Sequence, residues 1–146
     1  MVRLAEITED NFRAVINMEL PPEPKYVAPN VVSLAQAWLH KDRARPFAIY
    51  ADDVLVGFMM LYWNEAERET SLWRLMIAPE HQGKGYGTQA AQLAVDMARS
   101  AGLFDSMELD YVPGNDAARH IYAKLGFAET GEVDNGEIIM KLYFKE

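Results

Sequence analysis

Gly83, Gly85 and Gly87 alternate with Lys84 and Tyr86, and a helix-forming run from Thr88 to Arg99 follows at once. Before them lies Leu72 to Pro79, an apolar stretch of strand character. A strand, a glycine turn and a helix start, in this order, can hold an anion. The first N–H groups of a helix have no intrahelical partner, and aligned peptide dipoles leave partial positive charge at that end. Glycines accept φ > 0 and remove the side chains that would keep phosphate oxygens away. The alternative is a tight turn that binds nothing. Three alternating glycines exceed what a turn requires, and each loosens the helix start. Two familiar phosphate loops do not fit. A P-loop has Ser or Thr after Gly-Lys, and Gly85 follows Lys84 here. A dinucleotide fingerprint is G-x-G-x-x-G in an early βαβ unit, whereas about half of this chain precedes a G-x-G-x-G.

Length and composition bound the possibilities. The 146 residues suffice for one domain with one core. Hydrophobic residues make up 50% and charged residues 25%, the balance of an ordinary globular protein. No apolar run is long enough for a membrane span, and Met1 to Asp10 lacks the apolar core of a signal peptide. There are no cysteines, which excludes disulfides and a covalent cysteine intermediate and agrees with a reducing cytoplasm. The net charge of −8 disfavours nucleic acid and anionic membranes as partners and weakly favours a cationic substrate. His40, His81 and His120 are scattered, so no metal site is expected.

The elements that must position the glycine turn can be read in order. Val2 to Ile7 alternates as a first strand. Thr8 can cap a helix over Glu9 to Glu19 with an apolar stripe of Phe12, Val15, Ile16 and Leu20, stopped by Pro21-Pro-Glu-Pro24. Ser33-Leu-Ala-Gln36 reads as a capping box for a second helix to about Arg43, with Leu34, Ala37 and Trp38 on one side. Glu19 to Trp38 is the expected floor or lid of an acceptor pocket; otherwise it only joins two helices. Phe47–Tyr50 and Val54–Trp63 form a hairpin, and Thr70 to Ala78 is the strand before the glycines. The helix after them has Tyr86, Ala90, Leu93, Ala94, Met97 and Ala101 at helical spacing and ends at Gly102. Met107 to Tyr111 alternates as a fifth strand. Asn115 or Asp116 caps a helix carrying Ala118, Ile121, Tyr122 and Leu125 on one face. Phe127–Val133 and Glu137–Phe144 flank an Asn-Gly hairpin turn. The order is βααβββαβαββ.

Gln82-Gly-Lys-Gly-Tyr-Gly87 resembles the Q/R-x-x-G-x-G/A motif of the GNAT superfamily of N-acetyltransferases. Asn115-Asp-Ala-Ala-Arg-His-Ile-Tyr-Ala-Lys-Leu-Gly-Phe127 resembles that family's second block, N-x-x-A-x-x-x-Y-x-x-x-G-F. The element order is similar along nearly the full chain. The resemblance implies an α/β (α+β) fold with a mixed sheet of about seven strands, four helices and splayed fourth and fifth strands. It implies acetyl-CoA as co-substrate. The pantetheine arm would lie along the backbone of Leu75, Met76 and Ile77. The pyrophosphate would sit on Gln82, Gly83, Lys84, Gly85, Tyr86, Gly87 and Thr88, and Asn115 and Ala118 would flank the arm near the thioester. A backbone N–H near Met76 or Ile77 would meet the oxyanion.

Tyr122 falls where many family members place the general acid. A phenol near pKa ~10 can protonate the departing thiolate. The alternative is a core tyrosine whose hydroxyl meets a backbone carbonyl. The acceptor amine, near ~10.4 if lysine-like, must lose a proton before it attacks. Several polyamine-acetylating members carry a carboxylate on strand four where this chain has Trp73, next to Arg74. Candidate bases are then Glu108, Asp110, Glu19 and Glu23, each of which is otherwise a solvated surface charge. Glu19, Tyr26, Trp73 and Asp110 form the expected acceptor set.

Tyr26-Val-Ala-Pro-Asn30, Ser33-Leu-Ala-Gln36 and Asp134 to Met140 resemble bacterial spermine/spermidine acetyltransferases. A small-molecule amine, with a polyamine leading, is the expected acceptor; amino acids, aminoglycosides and protein N-termini stay open. So does a non-catalytic acyl-CoA-binding module. The resemblance also implies a homodimer, although no pattern in the sequence marks an interface.

Overall fold

A computed structural model describes residues 1–20 and 28–144. Seven strands form one mixed sheet. They are β1 (Val2–Glu6), β2 (Ala44–Ala51), β3 (Val54–Asn64), β4 (Glu69–Ile77), β5 (Ser106–Tyr111), β6 (Ala128–Asp134) and β7 (Glu137–Tyr143). Their spatial order is β1-β2-β3-β4-β5-β7-β6. Among the described residues there are four α-helices: α1 (Phe12–Ile16), α2 (Asn30–Leu39), α3 (Tyr86–Ala101) and α4 (Asp116–Lys124). The expected element order therefore holds.

β3 is central because it is apolar on both faces, and Val56 to Leu61 is buried throughout. Phe58 and Met60 face a small core with Val15, Ala37 and Ala48, on the side of α1 and α2. Met59 and Leu61 face the larger core beneath α3, with Leu72, Met107 and Met140. Gly102 ends α3 in the left-handed region, at φ 71°. The buried face of α3 is Ala90, Ala91, Ala94, Val95 and Ala98, with Leu93 and Met97 only partly buried. The expected stripe was thus displaced by about one residue. Alanines face the sheet because they let the helix axis come close.

Two helix starts differ from expectation. α1 is only Phe12–Ile16, with Asn11 rather than Thr8 at its N-cap position. The Asn11 side chain accepts from the Thr8 N–H (2.8 Å) and donates to the Glu6 carbonyl (3.0 Å), so it fastens the turn between β1 and α1 instead of extending the helix. α2 begins at Asn30 after Pro29, three residues before the expected cap. Ser33 is fully buried inside it, and the capping box does not form. Asn30 Nδ2 donates to the Val15 carbonyl (2.9 Å), tying α2 to α1. α2 stops at Leu39, short of Arg43, and Trp38 is largely exposed.

Candidate active site

β4 and β5 run parallel but pair only at their starts: Glu69 with Ser106, Thr70 with Met107, and Ser71 with Glu108. β4 continues to Ile77 and β5 to Tyr111 without further pairing, while β7 follows β5 along its other edge from Ser106 to Tyr111. The sheet therefore splits along its middle. Trp73 lies where the strands part, as the extra residue of a β-bulge: Met60 faces Arg74, and Leu61 faces Leu72. Such a bulge bends a strand and re-aims it.

Past the bulge, one edge of β4 is bonded to β3 and the other is open. The Ala78 N–H donates to the Val56 carbonyl (2.8 Å). Bonded pairs alternate along an antiparallel ladder. Met76, opposite Phe58, therefore turns its N–H and C=O to β3, and Leu75 and Ile77 turn theirs to the open side. The Ile77 carbonyl accordingly accepts from Gln82 Nε2 (2.9 Å). Gly57 backs this segment closely: a Cβ there would overlap the Met76 carbonyl oxygen.

The chain then makes a 3₁₀ turn, Pro79–His81, and enters the glycines. Gly83 (φ 82°) and Gly85 (φ 83°) are both left-handed, a conformation costly for other residues. Gly85 is the N-cap of α3 with no capping side chain, so the first N–H groups of α3 are left to a ligand or water. Gly87 sits where α3 meets α4: a Cβ there would lie 3.4 Å from the end of the Ile121 side chain, in van der Waals contact.

A cleft of about 910 Å³ opens between the two halves. Leu75, Met76, Ile77, Gln82, Gly83, Gly85, Tyr86, Gly87 and Thr88 line one wall, and Asn115, Ala118, Ile121 and Tyr122 the other. Asn115 caps α4, its Oδ1 accepting from the Ala118 N–H (3.3 Å). A second cleft of about 570 Å³ adjoins the first, lined by Ala28, Pro29, Trp73, Arg74, Asp110 and Glu137 among others. Leu75, Asn115, Ala118 and Tyr122 line both.

Tyr122 is only 8% exposed, and among the described residues its hydroxyl makes no hydrogen bond. Burial raises its pKa above that of an ordinary phenol, and the charge of Asp110 adds to the rise. In the second cleft, partial desolvation raises the Asp110 carboxyl, Asp134 adds to this, and Arg74 opposes it. Glu137 is raised chiefly by desolvation and then by Asp110, again against Arg74. Asp110 and Glu137 are diagonal neighbours across the β5–β7 ladder. Arg74 donates to Gln36 Oε1 (2.9 Å) and to the Trp73 carbonyl (3.0 Å).

Residues 3–127 match the sequence profile of the Acetyltransferase (GNAT) family. The chain belongs to the GNAT acetyltransferase family. It is 31% identical over 111 residues to the spermidine N(1)-acetyltransferase of Escherichia coli K12, a match covering 76% of this chain and 60% of that protein. The chain thus spans about 60% of the length of that curated relative. In structure it resembles the spermidine N-acetyltransferase of Vibrio cholerae in complex with CoA and spermine. The TM-score is 0.78 at 22% identity, over 98% of this chain and 94% of that one. It also resembles the PaiA N-acetyltransferase of Thermoplasma acidophilum in complex with coenzyme A, with a TM-score of 0.77 at 17% identity over 99% of both chains.

Within this GNAT frame, the sequence-derived residues separate. Leu75, Met76, Ile77, Gln82, Gly83, Gly85, Tyr86, Gly87, Thr88, Asn115, Ala118 and Tyr122 converge on one cleft. Lys84 does not line it and is exposed at the tip of the turn. Trp73 and Asp110 line the second cleft, as do Ala28 and Pro29 from the expected lid stretch. Trp73 also packs edge-on against Tyr62 (5.6 Å) and His40 (5.8 Å), which holds the bulge against α2. Glu19 is exposed and lines neither cleft, because α1 ends too early to carry it inward. Glu108 is turned to Lys141 (3.9 Å) and lines neither cleft. Tyr26 and Glu23 lie outside the described residues. Sequence reasoning missed Glu137, which the Asn135-Gly136 turn (φ 51° and 81°) returns beside β5. The strong turn signal located the hairpin, but nothing local indicated that its second strand pairs with β5.

Proposed function

We propose that the chain transfers the acetyl group of acetyl-CoA to a primary amine by direct attack, with a polyamine such as spermidine or spermine as the leading acceptor. The observation that carries this reading is the split sheet, with Tyr122 at the junction of an apolar cleft and a charged one. The first cleft fits an acyl-CoA. Its left-handed glycines and uncapped helix start suit a pyrophosphate. The open edge of β4 offers N–H and C=O groups to the amides of an extended arm. The Leu75 or Ile77 N–H, not that of Met76, is available to a thioester oxyanion.

The second cleft suits the amine. Asp110 and Glu137 outweigh Arg74 in formal charge, which favours an ammonium group. The similarity to a spermidine acetyltransferase and the net charge of −8 support a polyamine in particular. Tyr122 keeps its proton at working pH. A thiolate near ~8.5 is a weaker base than the phenolate it would leave, so proton donation to sulfur runs together with loss of the amine's second proton.

The test is CoA thiol release from acetyl-CoA, screened over spermine, spermidine, putrescine, amino acids and aminoglycosides. Release with polyamines alone is expected. Release with another amine class would keep the chemistry and discard the polyamine. Acetyl-CoA binding without release for any amine would instead favour a non-catalytic acyl-CoA-binding module.

A further inference from the structure

The two acids of β5 have different fates. Glu108, opposite Lys141 in the β5–β7 ladder, shares that lysine with Glu69, whose carboxylate lies 3.1 Å from Nζ. Its charge is accounted for. Asp110 is on the same face two residues further on, where β4 has already parted from β5. It lies opposite Ile139, which places it diagonal to Glu137 on β7, within side-chain reach. Both acids line the second cleft with Tyr122. The charged and titratable groups facing Asp110 are Glu108 on its own strand, Arg74 from β4, Asp134 from the end of β6, Glu137 from β7 and Tyr122 from α4. Tyr122 is largely buried and lines both clefts, so its hydroxyl, with no hydrogen bond among the described residues, is left for a group that enters between them.

We infer that Asp110, oriented by Glu137, takes the proton from the acceptor amine. This rests on the acetyltransferase reading above. The ammonium gives one proton to the Asp110 carboxylate, and its nitrogen forms a bond to the thioester carbon. The C–S bond breaks and the sulfur takes the Tyr122 proton. The second nitrogen proton restores the tyrosine, and Asp110 releases its own to solvent. The sum is an amide, a thiol and one proton from an ammonium and a thioester. Glu137, diagonal to Asp110 on β7 and lining the same cleft, confines the Asp110 carboxylate to the side where the ammonium enters. β5 and β7 thus supply what strand four, with Trp73, does not.

The experiment compares wild type, Asp110→Asn and Glu137→Gln by the pH dependence of kcat and KM on the amine that wild type turns over, with acetyl-CoA affinity measured by calorimetry as the check on folding. Wild-type kcat/KM should rise with pH along an acid limb above the ordinary carboxylate range, as Asp110 loses its proton. Asp110→Asn should lower kcat ~10²-fold and abolish that limb, leaving only the amine's own titration near ~10.4, with acetyl-CoA affinity within about twofold. Glu137→Gln should keep the limb but move it. An unchanged limb and kcat in Asp110→Asn would overturn the inference alone. So would a rise in KM with the limb in place, since that marks an ammonium anchor. A wild type that turns over no amine overturns the acetyltransferase reading and this inference together.

Discussion

The two clefts that meet at Tyr122 are built by opposite means. The larger is a backbone site, made of the open edge of β4, two left-handed glycines and an uncapped helix start, facing one side of α4. The smaller is a side-chain site. Trp73, Arg74, Asp110 and Glu137 reach it from three strands, and Ala28 and Pro29 from the approach to α2. A ligand common to many enzymes can be held by groups that every sequence possesses, provided the chain is bent correctly. A ligand that must be chosen needs charges in a particular arrangement, and these come from wherever the topology delivers them.

This contrast can be broken at Tyr122, one of the residues both sides share. Tyr122→Phe should lower turnover ~10²-fold or more with acetyl-CoA affinity little changed. Steady-state kinetics with a binding titration would show it, and unchanged turnover would remove Tyr122 as the acid. A smaller effect, confined to the backbone site, is expected of Gly85→Val. A branched side chain at φ 83° is strained by about 1–3 kcal/mol. Acetyl-CoA should then bind ~10-fold more weakly by calorimetry, with the amine KM unchanged. The smallest effect belongs to the charged side. Arg74 opposes the rise in the Asp110 pKa. Arg74→Gln should therefore move the acid limb of the pH–rate profile to higher pH and lower the KM of a cationic amine a few-fold. A shift to lower pH would contradict the placement of that cation.

The same contrast explains what could be read from the sequence. The glycine turn was legible because left-handed positions restrict residue choice to a few types, and Gly83 and Gly85 declare them. The Asn115 cap and the Asn135-Gly136 hairpin were legible for the same local reason. The partnership of Asp110 with Glu137 was not, because it depends on β7 passing between β5 and β6. Nor was the bulge at Trp73, which is a property of register between two strands. The α2 start was misread because Ser33-Leu-Ala-Gln36 satisfies a capping pattern. Pro29 and the buried Asn30 decided the helix start instead, through a contact with the α1 backbone. Lys84 is exposed at the tip of the turn and does not line the cleft, which the alternation of residue types between the glycines could not indicate.

The parting of β4 from β5 places the edge of a sheet in its interior. Edges normally lie at the rim, where proteins blunt them against pairing with other chains. Here Leu75 and Ile77 have no strand partner on the open side at mid-sheet, and the β4–β5 ladder runs for three residue pairs at the base. A guest strand with its own amides would complete the ladder and bridge the halves, acting as a removable piece of secondary structure. Occupancy and cohesion are then a single equilibrium: whatever fills the gap also lends the sheet part of its resistance to unfolding, and departs with it.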